Sequence, residues 1–199
     1  MNVIKEDMKR MKKYDVIALI GEAGAGKDYL YRTLVDSYPE VNGLVSYTTR
    51  PPREGEVNGV NYHFVSREEF EKQIDEGKML EYTEFRGWYY GTSKAALNAA
   101  APNIGVFNVD GIYTMLEDEE IDLKIFRVIA SDRIRLIRQL DRENNPDIEE
   151  IMRRYRTDKV DFEFLDFDYI ELPNENWTQG HESLEELCKY VDQILDKRG

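Results

Sequence analysis

Cysteine, histidine and long apolar runs are scarce in this chain, and each scarcity removes a class of function. The one cysteine, Cys188, allows neither an intrachain disulfide nor a multi-cysteine metal site. The two histidines, His63 and His181, stand apart from any nucleophilic or metal-ligating constellation and read as structural. No segment reaches the ~18 consecutive apolar residues that a membrane-spanning helix needs, so no membrane is expected as a partner. Positive charge is also short: 27 Lys and Arg against 40 Asp and Glu leave a net charge of −13. Such a surface repels a nucleic-acid backbone, so neither DNA nor RNA is expected as a partner. The stretch from Met1 to Lys13 lacks the apolar core of a secretory signal. Its spaced Ile4, Met8 and Met11 read as a short amphipathic lead-in. With no export signal and no disulfide, the cytoplasm is the expected setting. Internal repeats, low-complexity tracts and Gly/Ser linkers are absent too.

What is present fits a globular chain. Its 199 residues suffice for one compact domain with a real core, and 41% apolar with 34% charged residues is not a disordered composition. Tyr14 to Ile20 is a β-branched and aliphatic run ending at a glycine, which predicts a strand buried on both faces. Lys27 to Ser37 has Leu30, Leu34 and Val35 at helical spacing and stops before Pro39. Ile104 to Val109 and Leu123 to Ala130 are further strand candidates, with a helix between them from Asp110. Ser131 to Arg142 reads as a helix with apolar Ile134 and Ile137. Another runs from Asp147 to about Leu165, Asp168 to Leu172 is a last strand, and Glu182 to Leu195 a closing helix. Strands alternating with helices predict an α/β fold with a mostly parallel sheet. Residues 44–97 break that rhythm and read as a small mixed β insertion with one helix from Arg67 to Glu76. The core then comprises 1–43 and 98–199.

The first strand runs directly into Gly21-Glu22-Ala23-Gly24-Ala25-Gly26-Lys27, the G-x-x-x-x-G-K pattern of a phosphate-binding loop in its strand–loop–helix setting. Glycines allow successive N–H groups to point at phosphate oxygens, and the following helix adds its positive dipole end. Lys27 supplies a mobile cation for the β- and γ-phosphates of ATP. Where Ser or Thr normally offers a hydroxyl to Mg²⁺, this chain has Asp28. Its carboxylate reads equally as a metal-directed acid or as an acidic residue favoured by the helix dipole.

A second constellation narrows the function. Arg50 and Arg53 lie three positions apart in the proline-stiffened turn Thr49-Arg50-Pro51-Pro52-Arg53-Glu54-Gly55-Glu56, where both guanidinium groups can converge on one phosphate. Gly59-Val60-Asn61-Tyr62-His63-Phe64-Val65, Gly77-Lys78-Met79-Leu80-Glu81 and Tyr90-Gly91-Thr92 follow in order. This series closely resembles the guanylate kinase family, clearly over Tyr14 to Val160. The resemblance implies a P-loop NTPase-type parallel sheet flanked by helices, with a mixed α+β GMP-binding insertion and a helical lid at about 138–156. It implies transfer of the γ-phosphate of ATP to GMP, with dGMP a plausible second acceptor, and Mg²⁺ as cofactor. Ser46, Arg50, Arg53, Tyr62 and Tyr90 are then expected around the GMP phosphate, with Glu81 and Thr92 on the guanine edge. Glu81 offers two acceptors to the N1–H and N–H₂ of guanine; adenine would leave it unsatisfied.

Seven arginines fall between Arg133 and Arg156. The resemblance assigns lid roles to Arg142 and Arg154, with Arg153 as fallback and Arg138 also able to approach phosphate. Arg133, Arg135 and Arg156 read instead as exposed helix positions paired with acids. Asp110 keeps the second acid of the family's D-x-D, facing GMP or metal, while Asn108 replaces the first. Asp28 and Asp110 are the metal candidates. Two other readings stay open at this point: a non-catalytic guanylate-kinase-like binding module, and a kinase for a different monophosphate. A monomer or homodimer fits equally.

Overall fold

A computed structural model of the chain describes residues 13–53, 55–85, 87–142 and 144–198. The lead-in expected around Ile4, Met8 and Met11 lies outside them. In chain order the strands are β1 (Tyr14–Ile20), β2 (Asn42–Gly43), β3 (Tyr47–Thr48), β4 (His63–Phe64), β5 (Met79–Phe85), β6 (Trp88–Ser93), β7 (Asn103–Val106), β8 (Ile121–Ile129) and β9 (Ile170–Pro173). The helices are α1 (Lys27–Ser37), α2 (Arg67–Asp75), α3 (Val109–Leu116), α4 (Asp132–Leu140), α5 (Ile148–Asp161) and α6 (Trp177–Arg198). A five-stranded sheet has the order β2-β7-β1-β8-β9, with β2–β7 and β8–β9 parallel. The α/β architecture expected from the alternating pattern is therefore present.

The chain divides into two compact units, and each is described by itself. The first comprises Met1–Val16 and Glu40–Leu123. Within it a four-stranded mixed sheet has the order β4-β3-β6-β5, parallel at β3–β4 and antiparallel elsewhere. Helix α2 starts where expected because Ser66 and Glu69 form a reciprocal capping box. Its Phe70 is fully buried and stacks on Tyr89 at 5.1 Å. The strand expected to reach Val109 ends at Val106. The Asn108 side chain accepts the Gly111 N–H at 2.7 Å, which caps α3 and turns the chain away from the ladder early.

The second unit comprises Ile17–Pro39 and Lys124–Gly199. The β1 residues Ile17 to Ile20 are wholly buried, as their unbroken apolar run predicts. Leu30 and Leu34 bury the inner stripe of α1, which packs against α6. Helix α6 begins at Trp177, five residues before the expected Glu182. Its first packed positions are Gly180 and Ser183, and Ser183 Oγ donates to the Pro173 carbonyl at 2.7 Å. Apolar periodicity cannot register small or polar residues at packed positions. Asp147 caps α5, accepting from the Glu150 N–H, and the helix stops at Asp161 rather than near Leu165. Among the described residues, no helix is long and apolar enough to cross a membrane.

Candidate active site

The loop of the second unit is a strained backbone held from outside by cations. Gly24 has φ of 80°, and a Cβ there would lie 2.4 Å from the Arg135 carbonyl oxygen. Both facts require glycine at this position. The loop's carbonyls turn toward α4. Arg135 Nε donates to Ala23 O at 3.3 Å, and Arg138 Nη1 to Gly24 O and Ala25 O at 3.3 and 3.1 Å. Asn174 Nδ2 completes the set, donating to Ala25 O at 2.7 Å. Lys27 folds back on its own loop, its Nζ donating to Gly21 O at 2.6 Å and Glu22 O at 3.1 Å. Burial lowers the pKa of this ammonium, with Asp28, Asp158 and Glu22 acting in the opposite direction.

A charge cluster stands beside the loop. Glu22 pairs with Arg127 at 3.2 Å and with Arg135 at 3.5 Å. Arg135 also meets Asp132 at 3.1 Å and Asp158 at 3.6 Å, and the Asp158 carboxylate accepts the Ala23 N–H at 2.7 Å. Arg135 is 1% exposed, which corrects the expectation of an exposed position, although it is paired with acids as expected. The physical reason is the surface α4 faces. Loop carbonyls need donors, so the helix presents Arg135, Arg138 and Gln139 inward and leaves Ile137 and Leu140 exposed. The i, i+3, i+4 spacing of these three donors was the signal in the sequence that could have marked this face. Nothing in the sequence marked Asp158 or Asn174.

The lid candidates sit on acids or in solvent. Arg153 and Arg154 both direct Nε to Glu150, each at 2.8 Å, one turn away on α5. Arg142 is exposed in the turn after α4. Asp28 is exposed in the first turn of α1. Among the described residues no group of three or more potential metal ligands gathers.

Within the first unit a second group of expected residues gathers on β5, β6 and the start of α3. The β5–β6 register sets Glu81 opposite Thr92, and Ser46 Oγ lies 3.2 Å from Thr92 Oγ1. Glu81 is 5% exposed, and burial raises its carboxyl to about 7 against the pull of hydrogen bonds from Thr92. Gly111 faces it: a Cβ there would stand 2.8 Å from Glu81 Oε2 and 3.0 Å from Asn108 Oδ1. Asn108 thus serves as a helix cap beside Glu81, and Asp110 is exposed in the first turn of α3.

Arg50 is buried and bidentate to Glu56, with both N–O distances 2.7 Å, and its guanidinium lies 5.1 Å from the Tyr62 ring centroid. Glu56 also accepts the Arg53 N–H at 2.7 Å; the Arg50 guanidinium beside it holds its carboxyl down at about 2. Tyr62 and Tyr90 meet edge to face at 6.1 Å. Of the expected phosphate-side residues, Arg50, Tyr62 and Tyr90 thus lie together, and the Arg53 backbone N–H meets Arg50 on Glu56 in the turn. Glu56 supports that turn from beneath, a role the spacing did not reveal.

The sequence profile described as guanylate kinase matches residues 13–197. A guanylate kinase of Nostoc sp. is 52% identical over 82 residues, 41% of either chain, so that pairing spans less than half of the relative's length. A guanylate kinase of Sus scrofa is 37% identical over 152 residues, covering 74% of this chain and 76% of that one. In three dimensions, a crystal structure of guanylate kinase from Anaplasma phagocytophilum superposes with a TM-score of 0.65 at 21% identity. It covers 92% of this chain and 87% of that one, and supports the fold. With a profile match along nearly its whole length and a relative 37% identical over about three quarters of either chain, the chain belongs to the guanylate kinase family.

Proposed function

We propose that this chain transfers the γ-phosphate of ATP to GMP, giving ADP and GDP, with dGMP as a second acceptor. The observation that carries the reading is Glu81, a buried carboxyl raised to about 7 whose hydrogen-bond donors come from Thr92. An acceptor pair buried at this cost suits a ligand edge with two adjacent donors, as guanine has and adenine lacks. Ser46, Arg50, Arg53, Tyr62 and Tyr90 bind the GMP phosphate, and Thr92 joins Glu81 on the base. Gly21 to Lys27 and Asp28 hold the ATP phosphates.

Phosphoryl transfer asks little covalent chemistry of the protein, because the GMP phosphate is already an anionic nucleophile. Catalysis is alignment and charge neutralisation. Lys27 neutralises the β- and γ-phosphates, Arg50 holds the acceptor, and Arg142 and Arg154 approach the transferring group as 138–156 closes. Closure excludes water that would otherwise hydrolyse ATP. Residues 44–97 act as the GMP-binding part against a core of 1–43 and 98–199.

Mg²⁺, when bound, neutralises phosphate charge. Asp28 fits it, since Mg²⁺ is commonly held by one or two carboxylates together with substrate phosphates and waters. Asp110 is a second candidate. The expected setting is the cytoplasm, as a monomer or homodimer acting on small molecules. A coupled assay with ATP and each monophosphate tests the reading. GMP is expected to turn over fastest, and Lys27→Ala to lower the rate by about a hundredfold or more. Faster turnover of AMP or UMP overturns the acceptor, and transfer to none of them overturns the kinase.

A further inference from the structure

Two large aromatic side chains of the second unit stand in solvent beside the phosphate loop. Trp177, the first residue of α6, is 76% exposed, and Tyr29, in the first turn of α1, is 40% exposed. Their ring centroids lie 6.3 Å apart at an interplanar angle of 53°, so the rings are not stacked and most of the indole is uncovered. A lone exposed ring is ordinary on a protein surface. This pair is tied to the loop by packed contacts. Buried Asn174 is the tie, its Nδ2 donating to Ala25 O at 2.7 Å. A Cβ on Gly26 would collide with that Nδ2, and one on Gly180 would stand 2.6 Å from Asn174 Oδ1 and 3.9 Å from Tyr29 Cε1. Gly180 follows Trp177 by less than one turn of α6. Tyr29 itself donates its N–H to Gly26 O at 3.1 Å. The loop, Asn174, Gly180 and the two rings therefore form one continuous line of contact. The start of α6 is fixed as well: the Glu175 N–H donates to Gln179 Oε1 at 2.9 Å.

Resting on the reading of this loop as the ATP phosphate site, we propose that Trp177, seated beside Tyr29, is the face on which the base of the phosphate donor stacks. The amides of the loop and of the first turn of α1 receive the phosphates, so the nucleoside starts beside Tyr29. Trp177 is the next surface along the same line. Arg138 is the cation of α4 that reaches this side of the loop, but its guanidinium is committed to the carbonyls of Gly24, Ala25 and Asn174. Stacking is therefore left to the rings. An aromatic face accepts any base, since every base has a π-face, and holds the larger purine more firmly than a pyrimidine. Trp177 thus sets donor affinity through the base, while the loop sets it through the phosphates.

The test uses the full chain, the non-hydrolysable β,γ-imido analogue of ATP, and tripolyphosphate, which fills the loop without a base. The chain has two tryptophans, so Trp88→Phe leaves Trp177 as the single indole reporter. The analogue is expected to quench its emission, and tripolyphosphate to leave it unchanged. An unquenched indole with the analogue bound, or equal quenching by tripolyphosphate, overturns the inference. By calorimetry, Trp177→Ala is expected to weaken the analogue by about tenfold without altering tripolyphosphate, and Trp177→Phe to recover most of the loss. Unchanged affinity for the analogue, or an equal loss for both ligands, overturns the inference as well. If the wild type binds neither ligand, the ATP-site reading itself falls, which keeps the two failures apart.

Discussion

Glu81 is a buried carboxyl held by hydrogen bonds from Thr92, and two pH dependences follow. The protonated carboxyl loses one of its two acceptor roles, so guanine binding needs the carboxylate. Affinity is therefore expected to fall as pH drops through about 7, by about tenfold per unit below it. Guanosine is the probe, since it lacks a phosphate that would titrate in the same range, and a flat profile between pH 5 and 8 (about three decades in proton activity) would contradict the assignment. Stability runs the other way. A carboxyl raised from 4.5 to about 7 binds its proton more tightly folded than unfolded. The wild type is then most stable below the unfolded value and loses about 3 kcal/mol as pH rises through that window. Glu81→Gln should abolish that slope in urea titrations while relaxing base choice. Glu56 has the opposite sign: its depressed carboxyl contributes stability above pH 4.5 that is lost as the pH falls toward about 2.

At the scale of elements, the helices are selected by what they must face. Helix α4 meets a row of carbonyls and buries arginine; α3 meets a carboxylate and begins with Asn108 and Gly111. The second case is open to a small change. A methyl at Gly111 would stand 2.8 Å from Oε2 of the Glu81 carboxyl, a group that Thr92 holds, and 3.0 Å from the capping oxygen of Asn108. Neither neighbour can yield cheaply. Gly111→Ala is expected to cost about 1–3 kcal/mol of stability and to weaken GMP binding by about tenfold or more. Unchanged GMP affinity by calorimetry would mean that Glu81 does not touch the base.

For the whole molecule, the proposed reaction makes one geometric demand. During turnover the loop of the second unit and the pocket of the first must come within one phosphoryl transfer of each other. Adenosine and guanosine joined through five phosphates measure that directly. Such a compound is expected to bind about a hundredfold or more tighter than ATP or GMP alone, because linked ligands raise effective concentration. Affinity no better than the stronger single nucleotide would show that the two halves never close on one molecule.

Much of this protein could be read along the chain, wherever neighbours in sequence dictate the outcome. The strand Tyr14–Ile20, the loop and the helix Lys27–Ser37 emerged with their boundaries, because an apolar run, three glycines and a following proline act locally. The order of Arg50, Arg53, Tyr62, Glu81, Tyr90 and Thr92 likewise carried the resemblance to the family that the profile match then showed. Contacts between residues far apart in sequence were another matter. Asp158 lies 135 positions from the amide it engages, and Arg135 112 positions from its carbonyl. Local pattern weighs a charged side chain by its usual preference for water. Only the folded chain, by bringing bare carbonyls and a loop N–H against α4 and α5, made burying those charges favourable.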